Sequence, residues 1–264
     1  MRLVCALALV GCSFNPSHES GSPPLDSPVG QDQHDAVSAR DDGTVSPDAK
    51  TVDDTLIAWY EMESLTSGSA ADSTGHGHTG TCASCPTVVA GHSGSGFLFD
   101  GTTRIDIGDG GAFDTSAFTV AMWVEYTNLT YSSFECPAGK VLDATIYNSW
   151  ELCYDQSSQK WLYDTVGAMP YAFSELEPSS APAIDTWYHT AMVWDGSIKT
   201  LYVDGSAVAS VTGAVVTFAV GQPLSFGADI DYGGQSSPFV GVMDDLRIYS
   251  RALGSAEIAA LAAQ

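Results

Sequence analysis

Two adjacent carboxylates near the C-terminus are the residues with the clearest potential for chemistry. Asp244 and Asp245 lie within FVGVMDDLRIYSRAL, whose apolar residues alternate as in a β-strand. At a period of two, Asp244 shares one face with Val240, Val242, Leu246 and Ile248. A buried, unpaired carboxylate is costly, so Asp244 needs a bound cation, a set of backbone N–H groups, or Arg247 or Arg251. The simpler alternative is a strand near a sheet edge, with Asp244 at its wet end.

A second group of polar candidates follows the first predicted strand. Asp72 begins the turn-rich loop ADSTGHGHTGT, where it could bind a cation or, more commonly, cap the turn through an Asx hydrogen bond. Glu63 is a reserve ligand. His76 and His78 have no third zinc ligand near them in the sequence, so we predict a solvated loop there.

The charge of the chain limits its partners. The 264 residues include 32 acidic and 9 basic side chains, which gives a net charge of −23. Nucleic acids and anionic membrane surfaces would repel such a chain, whereas cations would be attracted to it. The length suits one large all-β domain and a tail.

The N-terminus has the pattern of a targeting segment. Residues 1–11 contain a short apolar run after Arg2, and LVGC resembles a bacterial lipobox, in which the chain is cleaved after Gly11 and Cys12 is then lipidated. Ser13, rather than Asp, follows the cysteine, which favours the outer membrane. Residues 12–54 are rich in Ser, Pro, Gly and Asp and predict a disordered, acidic tether. The folded domain is therefore expected over residues 55–264.

The cysteines predict two disulfides. Export places the chain where disulfides form, so Cys82 and Cys85 are expected to close a local loop rather than bind metal. Cys136 and Cys153 remain once Cys5 leaves with the signal peptide and Cys12 takes the lipid. They form the second predicted pair, although the sequence alone does not prove the pairing.

Strands and tight turns dominate from Leu56 onward. LIAWYEM alternates as a first strand, and Asp100-Gly101 predicts a hairpin that joins the short strands FLFD and TRIDIG. Asp195-Gly196 marks the turn of a second, longer hairpin, and Asp204-Gly205 turns the chain into a short return strand. Strand-like WYHTAMVW places His189 mid-strand, where we predict a structural role. The last residues, AEIAALAAQ, predict a short helix capped by Ser255.

Several of these segments together resemble one family. DDLRIYSRAL before a Ser-capped AEIAAL, the internal Phe-Asp-Gly, and the pair WYHTAMVWDGS and LYVDGSAVAS are similar to LamG-like jelly-roll domains of the concanavalin A-like lectin/glucanase superfamily. The resemblance runs from Leu56 to the C-terminus. It implies an all-β, two-sheet antiparallel jelly-roll sandwich with a short C-terminal helix.

The resemblance also implies candidate binding residues. Relatives often hold a calcium ion, and the first and last strands of a jelly roll usually lie side by side, so Asp72 and Asp244 are the leading metal pair. Sugar binding needs exposed aromatic rings, for which Trp150, Trp161 and Tyr163 are the candidates. A core position for each of these rings is the open alternative.

Catalysis is not expected. Hydrolases of this superfamily usually carry Glu-x-Asp-x-x-Glu on one strand, which this sequence lacks, and it has no phosphate loop or dinucleotide fingerprint. We therefore predict a monomeric, lipid-anchored, non-catalytic module outside the cytoplasm that binds a glycan with a structural calcium. The alternatives are a surface module that contacts envelope or extracellular protein, and a glycoside hydrolase of the same superfamily. Membrane contact would be through the lipid alone, and nucleic acid is not a partner.

Overall fold

The structure of the chain, a computed structural model, describes residues 53–108, 110–167 and 173–264. The predicted signal peptide at 1–11, the lipidated Cys12 and nearly all of the 12–54 tether lie outside the described residues. Within those ranges, no helix combines the length and apolar character needed to cross a membrane.

Strands account for most of the regular structure in the part of the chain described. The first ten are β1 (Leu56–Tyr60), β2 (Leu65–Thr66), β3 (Ser69–Ala70), β4 (Gly80–Thr81), β5 (Thr87–Ala90), β6 (Ser95–Asp100), β7 (Ile105–Ile107), β8 (Phe118–Tyr126), β9 (Phe134–Val141) and β10 (Asn148–Asp155). The others are β11 (Lys160–Val166), β12 (Phe173–Leu176), β13 (Trp187–Trp194), β14 (Ile198–Val203), β15 (Ser206–Thr212), β16 (Leu224–Phe226), β17 (Asp229–Asp231), β18 (Gly234–Ser236) and β19 (Val240–Tyr249). One helix, α1 (Ser255–Leu261), follows β19.

These strands form two large antiparallel sheets and a small hairpin. Sheet A has the order β15-β14-β13-β8-β19-β6-β5, and β1 also pairs with β19. Sheet B has the order β12-β11-β10-β9-β16-β7-β4-β3-β2, while β17 pairs with β18 alone. The predicted all-β, two-sheet jelly-roll architecture with a short C-terminal helix is confirmed. The expected proximity of the first and last strands is also present, because Ala58 pairs with Ile248 and Tyr60 with Leu246.

The main core lies between the two sheets and is rich in aromatic side chains. Tyr126 of β8 makes an edge-on contact with Trp161 of β11, with ring centroids 5.5 Å apart. Phe118 of β8 also contacts Trp150 of β10 across the sheets, with the two rings tilted by 35° and their centroids 5.7 Å apart. Alternate residues of β10 and β11 point away from this core, so their acidic side chains lie on the outer face of sheet B.

A β-bulge in β19 changes the alternation that the sequence predicts. Asp244 pairs with Trp123 of β8 but Arg247 pairs with Ala121, so β19 uses one residue more than β8 over this interval. Asp245 has a positive φ of 50° there. The extra residue reverses the faces, as bulges do. The predicted common face for Asp244, Leu246 and Ile248 is therefore wrong, because Leu246 and Ile248 lie in the core whereas Asp244 lies with Trp123 on the outer face of sheet A.

Helix α1 covers part of the outer face of sheet A. Its buried Ile258 packs in a second apolar cluster with Ala121, Ala191 and Val193. The N-cap is Gly254, not the predicted Ser255, and the Glu257 carboxylate accepts the Gly254 N–H at 2.7 Å. The helix is thus anchored on sheet A through Ile258, and its first turn is closed by Glu257.

Both predicted disulfides are confirmed. Cys82 and Cys85, three positions apart in the sequence, close a local loop, and Cys136 and Cys153 join the neighbouring strands β9 and β10. The second disulfide lies on the outer face of sheet B together with Leu162.

Candidate functional site

The bulge in β19 opens a small pocket, here named the bulge pocket. Upstream of the bulge β19 pairs with β6, and downstream of it β19 pairs with β1. The pocket lies where one neighbour replaces the other and has a volume of about 190 Å³. Its lining consists of Trp59, Glu61, Glu63, His92, Ser93, Trp123, Asp244, Asp245 and Gln264.

Asp244 is the buried acid of the bulge pocket. This residue is only 2% exposed, and its Oδ2 accepts the Ser93 N–H at 2.9 Å. Burial, with Asp245 and Glu63 adding repulsion, raises the pKa of Asp244 to about 6. The arginines that the sequence offered as partners bind elsewhere: Arg247 pairs with Asp245, and Arg251 with Asp53 and Glu257. Among the described residues, the partner of Asp244 is therefore a backbone N–H, and neither of the two predicted arginines pairs with it.

Trp59 is held rigidly at the edge of the same pocket. Its Nε1 donates to Asp245 Oδ1 at 2.5 Å, and the Arg247 guanidinium lies 4.7 Å from the centre of its ring. Arg247 also contacts Asp245, with 2.9 Å between Nη2 and Oδ2. Trp59 remains partly exposed. The pocket thus has a fixed, partly exposed aromatic ring next to hydrogen-bond acceptors.

A stack of rings forms the other wall. His92 lies parallel to Trp123, with ring centroids 3.5 Å apart, and Trp123 in turn meets His189 edge-on. Burial lowers the pKa of His92 and lowers that of His189 to about 4, with Arg247 also acting on His189. Both rings are therefore neutral at pH 7, and the pocket carries net negative charge.

The predicted metal pair does not come together as the sequence suggested. Asp72 caps its own turn: Oδ1 accepts the Trp59 and Thr74 N–H groups, and Oδ2 accepts the His78 N–H. It does not line the bulge pocket, where the carboxylates beside Asp244 are Glu63 and Asp245. Glu63, the reserve ligand, therefore replaces Asp72 as the neighbour of Asp244. In the loop after Asp72, His76 Nδ1 lies 3.0 Å from the Ile57 carbonyl oxygen.

The predicted sugar-stacking residues are core residues. Trp150 is 2% exposed, while Trp161 and Tyr163 are fully buried between the sheets. A ring stacks on a sugar only if one face is open to solvent, so these three cannot form a sugar-binding surface. The prediction failed because it took the wrong face of β10 and β11, whose outward residues are acidic.

Those outward residues line a second depression, here named the acidic groove. It has a volume of about 310 Å³ and is lined by Phe134, Cys136, Ile146, Glu151, Asp155, Leu162, Asp164, Phe173, Glu175, Glu177, Asp229, Asp231 and Ser237. Glu151 on β10 faces Asp164 on β11, and Asp164 faces Glu175 on β12. Like charges directly opposite each other destabilise a sheet, so this row requires an explanation.

Burial perturbs the ionisation of the acidic groove. Desolvation, with repulsion from Asp229 and Asp164, raises the pKa of Glu151 well above its ordinary value. Burial also raises the pKa of Asp164 and of Asp229 to about 6. The sequence contains a signal for this groove, because Glu151 and Asp164 are directly next to the core residues Trp150 and Tyr163 and therefore point to the opposite face of β10 and β11.

Neither the bulge pocket nor the acidic groove has, among the described residues, the converging ligands of a metal centre held by protein side chains alone. Within the described ranges, only Cys136, Glu151 and Cys153 form a group of three or more His, Cys, Asp or Glu ligand atoms within 4.8 Å. Cys136 and Cys153 are joined in a disulfide, so this group is not a metal site. A cation in the bulge pocket would therefore depend on two carboxylates, with backbone carbonyls and water completing its shell.

Solved structures with the same fold include carbohydrate-related proteins. Domain 4 of AbnA, a GH43 extracellular arabinanase from Geobacillus stearothermophilus in complex with arabinotriose, matches with a TM-score of 0.59 and 21% identity, over 79% of this chain and 98% of that chain. The binding domain of Paraclostridial Mosquitocidal Protein 1 matches with a TM-score of 0.64 and 14% identity, over 79% of this chain and 52% of that chain. Trypanosoma rangeli sialidase in complex with sialic acid matches with a TM-score of 0.57 and 17% identity, over 79% of this chain and 32% of that chain.

These likenesses establish the fold. The chain spans about half of the mosquitocidal chain and a third of the sialidase chain, but nearly all of the arabinanase domain. No curated protein sequence matches it. The family model for the concanavalin A-like lectin/glucanases superfamily matches residues 99–259, which is more than half of the sequence. Together with the two-sheet fold, this match shows that the chain belongs to the concanavalin A-like lectin/glucanases superfamily.

Proposed function

We propose that this protein is a non-catalytic carbohydrate-binding module that binds a sugar at the bulge pocket. The observation that supports it best is the fixed, partly exposed Trp59 ring beside the acceptor oxygens of Asp244, Asp245 and Glu63. Sugars offer apolar C–H faces to aromatic rings and hydroxyl donors to carboxylates. The match to an arabinanase domain in complex with arabinotriose is consistent with this class of ligand.

The pocket size suggests how much sugar it would hold. Its volume of about 190 Å³ is below the range of about 300–1,000 Å³ typical of sites for drug-sized ligands. We therefore propose that it accepts one sugar ring, such as the terminal residue of a glycan. A longer chain would continue over the exposed Glu61 and out of the pocket.

A structural calcium forms part of the proposal. The donor set fits the ion, because Asp244 is buried with acidic neighbours and Glu63 supplies a second hard oxygen ligand. Bound calcium would neutralise these acids and fix the turn after β5, since Asp244 accepts the Ser93 N–H and Glu63 accepts the Ser95 N–H. The outward placement of the module, through lipidation of Cys12 and the tether over residues 12–54, is proposed from the sequence.

A glycoside hydrolase is the second candidate, favoured by one observation. The acidic groove holds carboxyls with raised pKa, including Glu151 opposite Asp164, and a glycosidase needs one protonated and one ionised carboxyl. Release of reducing sugar from arabinan or sialyl-lactose that disappears in Glu151→Gln would establish this function and overturn the non-catalytic proposal.

The test of sugar binding is a glycan array followed by titration of the full chain, with calcium and after chelation. We expect Trp59→Ala to weaken binding by about tenfold or more, which corresponds to about 1.4 kcal/mol. Tyr232→Ala is the matched control, because Tyr232 is an aromatic residue 75% exposed that does not line the pocket. Equal affinities for wild type and Trp59→Ala would refute the site, and the absence of any glycan ligand would favour a protein partner.

A further inference from the structure

The acidic groove has an excess of negative charge that neighbouring residues do not fully neutralise. Some of its carboxylates are satisfied within the protein: Asp155 accepts hydrogen bonds from Ser157 and Ser158, and Glu177 pairs with Lys160. Glu151, Asp229 and Asp231 have no basic partner among the residues described. Their nearest charged neighbours include one another.

Lys199 does not remove this excess. It is fully buried beneath β11 and β12, where its Nζ donates to the carbonyl oxygens of Tyr163 and Ser174. Its charge acts on Asp164 and Glu175. Among the residues described, Lys199 has no electrostatic interaction with Glu151 or Asp229. The β10 side of the acidic groove therefore remains acidic.

A buried amide supplies an independent sign of a missing donor. Asn148 is 4% exposed, and its Nδ2 donates to Glu151 Oε2 at 3.1 Å. It also hydrogen-bonds to Asp229, so the amide nitrogen lies between two acids. Asn148 Oδ1 and Asp231 Oδ1 are buried and have no hydrogen-bond partner. Two acceptor atoms at this acidic cluster therefore lack a donor, and unpaired buried acceptors are uncommon.

The walls of the acidic groove are apolar and partly exposed. Phe134, Ile146 and Phe173 line it with exposures of 41%, 49% and 56%, and Leu162 lies at its floor. A hydrated metal ion gains nothing from such walls, and no three carboxylates among the described residues converge within 4.8 Å. Alkyl groups and cation–π contacts with phenylalanine would use them.

From this combination we propose that the acidic groove binds a short aliphatic di- or polyamine. Ammonium groups would donate to Glu151, Asp229 and Asp231, and the methylene segments between them would pack on Phe134 and Phe173. The volume of about 310 Å³ suits a small molecule at the lower end of ligand-site sizes. This binding site is separate from the bulge pocket, so it does not depend on the proposed sugar-binding function.

The test is calorimetric titration of the full chain with spermidine at physiological ionic strength, about 0.15 M. We expect saturable binding to a single site, because the salt screens the general attraction of a chain with a net charge of −23. The double variant Glu151→Gln, Asp229→Asn should lose about tenfold or more in affinity, since it removes two carboxyl groups that would ionise to meet the ammonium groups. It should also unfold at a higher temperature than wild type, because it removes repulsion between buried acids.

The control variant is Glu61→Gln, which removes one exposed charge at the bulge pocket, outside the acidic groove. Its affinity for spermidine should stay within about twofold of wild type. Equal losses in the control and the double variant would show that spermidine responds only to net charge, and would overturn the proposal. Tighter binding of calcium alone, or of a lysine-rich peptide, than of spermidine would also overturn it, if that binding is lost in Glu151→Gln, Asp229→Asn and therefore takes place in the acidic groove and not in the bulge pocket.

Discussion

Replacing Asp244 by asparagine should stabilise the metal-free protein at neutral pH. The folded environment raises the pKa of this carboxyl from its ordinary 3.8 to about 6 because of burial, with Asp245 and Glu63 adding repulsion. The folded protein therefore binds the proton more tightly than the unfolded chain does. Protonated Asp244 favours folding, and this contribution is complete below the unfolded pKa and is lost as the pH rises through about 6.

The magnitude follows from the size of the pKa change. About two pKa units at 1.36 kcal/mol each give about 3 kcal/mol as an upper value for the destabilisation at pH 7. For a domain of this size, that corresponds to about 6 to 12 °C in melting temperature. Asparagine keeps the shape and the hydrogen bond from Ser93 but cannot ionise, so Asp244→Asn should escape the loss.

The assay is urea unfolding of both proteins in chelator between pH 4 and pH 8. Other buried acids also titrate over this range, so the quantity of interest is the difference in unfolding free energy between wild type and Asp244→Asn at each pH. We expect it to grow with pH in favour of the variant, and excess calcium at pH 7 to reverse its sign. The exposed Glu61→Gln should follow wild type throughout. A difference that stays constant with pH would refute the reasoning, because Asp244 would then be compensated within the fold.

Other predictions test separate parts of the molecule. Trp161→Ala should lower the free energy of unfolding by about 3–5 kcal/mol in urea, as for a buried tryptophan, while the fraction still folded binds sugar like wild type. Replacing Cys136 and Cys153 by alanine should cost about 3 kcal/mol, because their disulfide closes a loop with a sequence separation of 17. Arg251→Ala should cost about 1 kcal/mol by thermal unfolding, since its partly exposed guanidinium joins Asp53 to Glu257.

The sequence was sufficient for the architecture but not for the faces of two key strands. The Asp-Gly turns at 195–196 and 204–205 indicated the antiparallel β13, β14 and β15 correctly, and the cysteine pattern gave both disulfides. The hairpin predicted at Asp100-Gly101 is wrong, because β6 and β7 on either side of that turn belong to different sheets. The bulge at Asp245 could not be predicted from the sequence. One extra residue in β19 shifts the alternation by one position, and a strand without a bulge would fit the same apolar residues until the pairing with β8 is known. Glu63 and Asp244 lie far apart in the sequence and meet at the pocket beside that bulge, so local sequence could not pair them.

The error at Trp150 and Trp161 had a different cause. An aromatic residue on an amphipathic strand is equally compatible with a core and with a binding face until the partner sheet is known. The acidic residues that alternate with those rings were the more informative feature, since a row such as Glu151, Asp164 and Glu175 is costly without a compensating ligand. Their cross-strand alignment depends on the register of three strands, which the sequence does not specify on its own.

The central position of β19 has a consequence for how the chain acquires its fold. This last strand lies between β8 on one side and β6 and β1 on the other. Arg251, just beyond it, reaches Asp53 across a separation of 198 residues. During synthesis from the N-terminus, sheet A cannot close until its final strand has emerged, and such non-local pairing makes folding slow. Until then the edges of β8, β6 and β1 that β19 covers in the folded protein remain unpaired, so an incomplete chain exposes strand edges that can pair with other chains.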